Sequence, residues 1–227
     1  MITTNVIRRV FKFMNNGLTG TIFTLEIDKK QYIITAKHLV KDITNSSIAK
    51  IYYEKQWKEI NLSLVGHSPA DIDISVLATD IQLTPPKLPC EPSTKEIIFG
   101  QDVYFLGFPF DIIPDGGPMN RGYPFPFVKK AILSAILVKN DHEVLYLDGH
   151  NNPGFSGGPV VYKSPNNYRF RICGVVSGYR FQEQPGFESG SPINIYFREN
   201  TGIIISHGIN SAIDIIHNNP IGFQLED

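Results

Sequence analysis

Three side chains spread along the sequence have the types needed for nucleophilic attack on an acyl group. Ser156 lies in NNPGFSGGPV (151–160), where the surrounding glycines and prolines predict an unusual backbone shape. A serine hydroxyl is a weak nucleophile near neutral pH and needs a base, which is usually histidine. His38 in TAKHLV is a candidate base, and an aspartate in HSPADIDISVLATD would hold the imidazole in one tautomer.

Each of these residues also has an ordinary structural interpretation. The segment around Ser156 is compatible with a glycine-rich turn, and the nucleophile elbow of α/β-hydrolases needs a helix where GPVVYK (158–163) predicts a strand. A lone histidine is usually structural, and the residues alone leave Asp71, Asp73 and Asp80 open as the acid. The order His, Asp, Ser nevertheless favours a site assembled between two halves of the chain.

The elements that must position these residues are short β-strands. Apolar and polar residues alternate in many runs separated by turn signals, and these runs cover 19–27, 31–36, 49–55, 60–67, 73–79, 102–108, 128–138, 143–149, 158–163 and 170–179. NSAIDIIHNNP (210–220) predicts a helix capped by Asn210. The proline-rich segment 82–96 predicts a surface connector. The sequence therefore predicts an all-β fold of two halves with a cleft between them.

Composition excludes several classes of protein. The 227 residues are 42% hydrophobic and 19% charged, as in a packed domain, and the net charge of −1 offers no general basic field for nucleic acid. We expect the short basic stretch of Arg8, Arg9 and Lys12 to be solvated. No apolar run reaches the ~20 residues of a membrane helix, and no secretory signal is recognisable, so we expect a cytoplasmic protein that binds no membrane and no nucleic acid. Cys90 and Cys173 have no metal-binding spacing, so we expect free thiols, no metal and no cofactor.

Three blocks, TAKHLV, DISVL and GFSGGPV, resemble in kind and in order the active-site blocks of the chymotrypsin-like (trypsin-fold) serine peptidases. GQDVYFLGFPF (100–110) and ENTGIIISHGINSAIDII (199–216) are similar to segments of the short bacterial trypsin-like peptidases related to the Deg/Htr proteases. The resemblance extends from about residue 17 to the C-terminus. It implies two six-stranded antiparallel β-barrels, in residues 1–92 and 93–227, with the active-site cleft between them and a C-terminal helix.

The resemblance implies a serine endopeptidase whose substrate is a polypeptide. Ser156 would attack the peptide carbonyl, His38 would accept the proton, and Asp73 would orient His38. Asp73 is preferred to Asp71 because it opens the family's D-hydrophobic-small-hydrophobic-Leu pattern. The backbone N–H groups of Gly154 and Ser156 would form the oxyanion hole.

The resemblance also indicates the residues that would contact substrate. His150 and Asn151 would lie beside the primary pocket, and the strand that pairs with the substrate backbone would contain Ser177, Gly178 and Tyr179. No acid stands at the floor of this pocket, which disfavours Lys or Arg before the scissile bond. Tyr179 favours a small or medium side chain there, and His150 alternatively favours an acidic one.

Two segments have alternative interpretations. Phe155 replaces the aspartate that pairs with a new N-terminus in secreted members, and it either anchors its loop by burial or leaves it movable until a partner or substrate binds. The loop 110–127, rich in aromatic residues, Gly and Pro, either borders the cleft or packs as a surface loop. The sequence leaves no room for the PDZ-like domain of larger Deg proteases, so a separate protein is the expected source of any regulation.

Two other functions are compatible with the same residues. A non-catalytic binding or scaffold module on this fold usually lacks a triad residue, and none is missing here. An acyl hydrolase acting on esters would use the same three residues, and only a substrate screen would separate it from a peptidase.

Overall fold

The computed structural model describes residues 1–114 and 120–226, and β-strands dominate this part of the chain. The strands in chain order are β1 (Val10–Asn15), β2 (Leu18–Ile27), β3 (Lys30–Thr35), β4 (Ser47–Tyr53), β5 (Gln56–His67), β6 (Ser75–Thr79), β7 (Asp102–Gly107), β8 (Phe127–Lys139), β9 (His142–Asp148), β10 (Pro159–Lys163), β11 (Phe170–Glu188), β12 (Ser191–Gly208) and β13 (Phe223–Gln224). The α-helices are α1 (Thr4–Ile7) and α2 (Asn210–Asn218), and short 3-10 turns cover Lys37–Leu39 and Pro109–Asp111. None of these helices is long and apolar enough to cross a membrane.

The first six strands close into an antiparallel ring. Pairing follows the order β3, β2, β1, β4, β5 and β6, and β6 pairs again with β3, for example at Ile33 and Leu77. Successive side chains of a strand point to opposite faces, so the apolar half of each alternating run turns inward. The interior is filled by buried side chains such as Phe11, Phe13, Ile22, Ile33, Leu62 and Leu77.

Strands β7 to β12 form a second closed barrel, in the order β10, β11, β12, β9, β8 and β7. Its interior is filled by buried side chains such as Val103, Phe105, Leu133, Leu145, Leu147 and Val160. A further hydrophobic cluster contains buried residues of both barrels, among them Val10 and Ile74 of the first and Leu106 and Val175 of the second. The prediction of two six-stranded antiparallel barrels is therefore confirmed.

The sequence predicts that the basic residues near the N-terminus are solvated, but this prediction is wrong for two of them. The side chain of Arg9 is fully buried, and Lys12 is only 4% exposed. Arg9 pairs with Glu26 at 3.0 Å and donates to the Leu88 carbonyl of the connector at 2.5 Å. The partners of these charges come from distant segments, so the local sequence pattern could not reveal them.

The C-terminal segment differs in detail from the prediction. The helix α2 starts at Asn210, so the prediction that Asn210 caps it is wrong. The Asn210 amide instead donates to Thr94 Oγ1 at 2.8 Å. The chain then returns to the first barrel, where Asn219 donates to the Val65 carbonyl at 2.9 Å and β13 pairs with β3.

The division of the chain into residues 1–92 and 93–227 stays a prediction.

The strands β11 and β12 extend well past the second barrel as a two-stranded hairpin, which we call the arm (residues 180–200). The sequence predicts a strand only to residue 179. The arm contains Pro185, Gly186 and Pro192, and its side chains are exposed or half-buried, so it shows no clear alternation of apolar and polar residues.

The buried charge of Arg9 predicts a large effect on stability. Arg9→Met removes the guanidinium that donates to Glu26 and to the carbonyls of Asn5, Thr24 and Leu88, and Glu26 keeps the bond from Gln31 Nε2. Breaking a buried charged network costs about 3–5 kcal/mol, so the free energy of unfolding in urea should fall by about 3 kcal/mol.

The matched control for this substitution is Arg198→Met, which removes the exposed pair of Arg198 with Glu183. An exposed pair contributes at most about 1 kcal/mol. Equal losses for the two variants would contradict the structural role of Arg9.

Candidate active site

His38 and Asp73 form a doubly hydrogen-bonded pair in the first barrel. His38 lies in the 3-10 turn that follows β3, and Asp73 lies in the loop before β6 rather than at the first position of that strand. The ring Nδ1–H of His38 donates to Asp73 Oδ2 at 2.7 Å, and the backbone N–H of His38 donates to Asp73 Oδ1 at 2.9 Å. This arrangement fixes the imidazole tautomer and leaves Nε2 as the free acceptor.

The structure discriminates geometrically among the three aspartates that the sequence left open. Asp73 contacts His38, whereas the neighbouring Asp71 is exposed. Asp80 follows β6 and accepts a hydrogen bond from Asn61 at 2.8 Å. Only Asp73 of these three is placed to orient His38, and its catalytic role stays a prediction.

Ser177 on β11 links Asp73 to Ser156 across the two barrels. The Ser177 hydroxyl donates to Asp73 Oδ2 at 2.7 Å, and the Ser177 carbonyl accepts the Ser156 hydroxyl at 3.1 Å. Among the described residues, the Ser156 hydroxyl donates to this carbonyl and makes no hydrogen bond with His38. The sequence had indicated Ser177 only as a substrate-pairing residue, and its bond to Asp73 was missed because a serine on a strand carries no distinctive signal.

The loop before Ser156 has a conformation that requires glycine. Gly154 has a φ of +103°, and a Cβ there would lie 2.2 Å from the Phe108 carbonyl oxygen. The Pro153 carbonyl accepts the Phe110 N–H at 3.0 Å. Because a trans peptide directs its C=O and N–H to opposite sides, this bond turns the Gly154 N–H away from Phe110. Within the described part of the chain, the N–H groups of Gly154 and Ser156 donate to no acceptor.

Thr21 on β2 fastens this loop to the first barrel. Its backbone N–H donates to the Ser156 carbonyl at 2.9 Å, and its hydroxyl donates to the Gly154 carbonyl at 2.7 Å. Both bonds engage carbonyl groups, so they leave the N–H groups of Gly154 and Ser156 unoccupied.

Lys12 on β1 stabilises the same loop indirectly, through its contacts with Asp111. Its ammonium donates to the Asp111 main-chain oxygen at 2.9 Å and lies 3.0 Å from the Asp111 carboxylate. Asp111 directly follows Phe110, and both residues have left-handed backbone angles. The buried lysine thus holds the turn whose Phe110 N–H fixes the Pro153 carbonyl.

Phe155 is anchored by burial. Its side chain has no exposed surface, and its ring lies 4.9 Å from that of Phe105 in an edge-to-face contact. Of the two interpretations left open by the sequence, the structure favours the anchor.

Lys129 of β8 stabilises the segment before Phe155 by donating to the His150 carbonyl and to Asn152 Oδ1.

The residues indicated for substrate contact are partly assembled. Asn151 is 2% exposed, and its amide donates to the Gly178 carbonyl at 3.2 Å, which joins the predicted pocket to the predicted pairing strand. Ser177, Gly178 and Tyr179 are half-buried, and His150 is exposed. The preference for a particular side chain before the scissile bond stays a prediction.

The loop 110–127 is described only in part, because residues 115–119 lie outside the described residues. Its second part packs on the first barrel, where the Tyr123 hydroxyl donates to the Leu83 carbonyl at 3.1 Å and Asn120 accepts from Arg8 Nε at 3.1 Å.

The two cysteines, Cys90 and Cys173, are buried free thiols. Residues 1–114 and 120–226 contain no group of three His, Cys, Asp or Glu side chains suited to a metal ion.

The pKa of Asp73 reflects two opposing effects. Burial raises it, but the hydrogen bonds and charge of His38 and the hydroxyl of Ser177 outweigh burial and lower the pKa from 3.8 to about 2. The carboxylate is therefore ionised at any pH near neutral, as is required of a group that stabilises a charged imidazolium.

Comparison with known proteins assigns a family. The model of the trypsin-like peptidase domain matches residues 19–165. No curated protein matches the sequence.

Solved protease structures share the fold. The Rv3671c protease from M. tuberculosis in its active form has a TM-score of 0.61 and 17% identity, with 98% of this chain and 85% of that chain covered. The HtrA-type protease AlgW with a tripeptide has a TM-score of 0.61 and 19% identity, covering 95% of this chain and 63% of that chain. Deg5 has a TM-score of 0.59 and 16% identity, with 92% and 88% covered. These similarities identify the fold as chymotrypsin-like.

The low pKa of Asp73 gives stability a pH dependence of known sign. A folded-state pKa of about 2, below the ordinary 3.8, stabilises the fold fully above about pH 4, and this stabilisation is lost as the pH falls towards 2. Such a shift corresponds to about 2 kcal/mol. In urea titrations, the stability advantage of the wild type over Asp73→Asn should therefore shrink by about that amount across this range.

The variant Asp71→Asn controls for the removal of one carboxylate from the same loop. A difference between wild type and Asp73→Asn that stays constant from neutral pH to about pH 2.5 would show that the low pKa is not realised.

Proposed function

The chain belongs to the trypsin-like peptidase domain family, and from this membership we propose that it is a serine endopeptidase with Ser156, His38 and Asp73 as its triad. One observation carries the proposal. The hydrogen-bonded series from His38 through Asp73 and Ser177 to Ser156 crosses from one barrel to the other. It gathers a nucleophile, a base and an oriented acid from distant parts of the sequence, as this chemistry requires.

The proposed reaction begins with a change of hydrogen bond at Ser156. Its hydroxyl leaves the Ser177 carbonyl by rotation about χ1 and turns to Nε2 of His38. Nε2 accepts the proton as Oγ attacks the substrate carbonyl, and later gives it to the leaving amine. Water then hydrolyses the acyl-enzyme by the same route. Asp73 stays ionised and stabilises the imidazolium.

The oxyanion that develops on the substrate carbonyl is proposed to bind the N–H groups of Gly154 and Ser156. Both groups lack an acceptor among the described residues, and the Pro153 carbonyl is held by Phe110 on the opposite side of its peptide. Donors fixed before the reaction need no reorganisation when charge develops, and one such donor contributes about 10²–10³ in rate.

The other expectations from the sequence stay predictions. They are a cytoplasmic location, a separate regulatory protein, the lack of binding to nucleic acid and membranes, and the preference before the scissile bond. Polypeptide substrates follow from the family itself.

Covalent labelling tests the proposed triad. A fluorophosphonate should add once to the wild type by intact mass, and Ser156→Ala should take no label. His38→Ala should react far more slowly, because its serine lacks a base. A folded wild type that takes no label and cleaves no protein would indicate the scaffold function instead. Hydrolysis of esters without cleavage of casein would indicate the acyl hydrolase.

The support of Gly154 by Lys12 predicts an effect on turnover. Lys12→Met removes the donor to Asp111 and frees the turn that holds the Pro153 carbonyl. We expect kcat for a fluorogenic peptide to fall about tenfold, a fraction of the effect of losing an oxyanion donor, with a smaller change in KM. Lys12→Arg keeps the charge and the donors and should recover most of the kcat. Parallel changes in kcat and in the unfolding midpoint, without recovery by arginine, would reduce Lys12 to a structural residue.

A further inference from the structure

One edge of the arm has no neighbouring strand in the fold. The ladder of β11 with β10 ends at Val175 and Pro159. From Gly178 to Glu188, β11 pairs with β12 alone among the described residues. A long unpaired edge presents free N–H and C=O groups, which makes it a template for pairing with another chain.

The charged side chains of the arm fall into two groups. Arg198 and Glu199 of β12 have partners inside the hairpin, since Arg198 lies 3.6 Å from Glu183 and Glu199 accepts hydrogen bonds from two glutamines. Arg180 and Glu188 lie at the two ends of the β11 part of the arm and are exposed. Within the described part of the chain, neither of these two side chains has an ion-pair partner. Two charges of opposite sign are therefore free for a binding partner.

Two aromatic side chains lie just inside these charges. Phe181 is 47% exposed and Phe187 is 65% exposed. The register shifts between Tyr179 and Glu188 insert extra residues into β12, so β11 alternates without interruption there. Phe181 and Phe187 therefore share one face of β11, and Arg180 and Glu188 share the other.

The order of these residues along β11 is complementary to itself. When two copies of β11 pair antiparallel about a twofold axis beside Gln184, Arg180 of one copy faces Glu188 of the other, and Phe181 faces Phe187. Because the arrangement is symmetric, each contact occurs twice. Side chains directly opposite each other lie about 5 Å apart, and opposite charges and aromatic pairs at that distance stabilise a sheet.

The neighbouring registers lack this complementarity. An axis beside Glu183 places that carboxylate opposite its own copy, and an axis beside Pro185 places Glu183 opposite Phe187. Pro185 has no N–H to donate, so side-chain pairs have to supply part of the stability in any register. Residues 180–188 therefore favour the axis beside Gln184.

The base of the arm is fixed to the second barrel. Asn200 of β12 donates to the Asn151 carbonyl at 2.8 Å, and the Asn151 amide donates to the Gly178 carbonyl of β11 at 3.2 Å. Thr201 also donates to the Arg180 carbonyl at 2.9 Å. A fixed base limits the directions in which the arm can point, which lowers the entropic cost of association.

We propose that the arm is a dimer interface, in which residues 180–188 of β11 pair antiparallel with the same residues of a second copy of this chain. The product is a four-stranded sheet with the β12 strands on the outside. A two-stranded hairpin is marginally stable on its own, and two further strands remove that weakness.

The dimer has a consequence for the candidate active site, and this consequence rests on the proposed function. Continued past Arg180, the pairing brings the tip of one arm, Ser189 and Gly190, towards Ser177 and Tyr179 of the other copy. Ser177 and Tyr179 are indicated for substrate contact, so the second copy and the substrate compete. Activity per enzyme molecule should therefore fall as the enzyme concentration rises.

Sedimentation velocity tests the dimer. One strand from each copy is a small contact compared with the roughly 20–30 residues of a standard interface. We therefore expect a reversible equilibrium of monomer and dimer between about 1 and 100 µM. Ser156→Ala should show the same equilibrium, because the pairing needs no catalysis.

Charge reversal tests the register. Arg180→Glu and Glu188→Arg each place like charges opposite one another at two positions of the dimer, so each should raise the Kd about tenfold. An equimolar mixture of the two variants should associate with a Kd close to that of the wild type. In the mixture, each copy offers the charges that the other one lacks.

Two phenylalanine variants form a matched pair. Phe187→Ser removes a ring from the paired edge and should weaken the dimer. Phe197→Ser removes a ring of similar exposure, 55% against 65%, from β12 and should leave the Kd unchanged.

The outcomes separate this inference from the proposed function. A wild type that stays monomeric up to about 100 µM overturns the inference, and so does a dimer that neither charge reversal weakens. Two weakened variants that do not associate when mixed overturn the antiparallel register. A dimer whose activity per molecule is independent of concentration overturns the competition with substrate. None of the association measurements needs activity, so a wild type that takes no fluorophosphonate label contradicts the proposed function and leaves the dimer to be decided by sedimentation.

Discussion

The carboxylate of Asp73 is a largely buried charge that needs donors from both barrels. It accepts the ring N–H and the backbone N–H of His38 from the first barrel and the hydroxyl of Ser177 from the second. An unpaired buried charge is expensive, so these bonds favour one relative position of the barrels. Within the second barrel, the Ser177 carbonyl accepts the Ser156 hydroxyl, so satisfying the Asp73 carboxylate also fixes where Ser156 lies relative to the first barrel.

The first barrel also shapes a loop that belongs to the second. Thr21 holds two carbonyls of the Gly154 loop, and Lys12 holds the turn that orients the Pro153 carbonyl. Both residues contact only oxygen atoms there, the carbonyls of Ser156 and Gly154 and the main-chain and carboxylate oxygens of Asp111. They leave the N–H groups of Gly154 and Ser156 free, so the polarity of the site depends on residues that lie outside the recognisable blocks of sequence.

The strands and the active-site blocks could be predicted because each depends on a short stretch of sequence, either an alternation of apolar and polar residues or a local motif. The resemblance of TAKHLV, DISVL and GFSGGPV to the family's active-site blocks implied two barrels, and the match of DISVL to the family's pattern led us to prefer Asp73 to Asp71. Burial of Arg9 and Lys12 was not predictable, since their partners Glu26 and Asp111 are distant in sequence. The arm escaped prediction because it covers no core, so its residues carry no inward-facing pattern.

The return of the chain to the first barrel affects the order in which the protein is completed on a ribosome. The helix α2 packs against β5 and β13 pairs with β3, although Asn219 lies 154 positions after its partner Val65 and Phe223 lies 192 positions (223 − 31) after its partner Gln31. While the nascent chain emerges, the first barrel has its own six strands before α2 and β13 can pack on it. Ser156 emerges later than His38, because it belongs to the second barrel. The proposed site therefore assembles only after Ser156 and the strands of the second barrel have left the exit tunnel, so any activity at this site begins late in the synthesis of the domain.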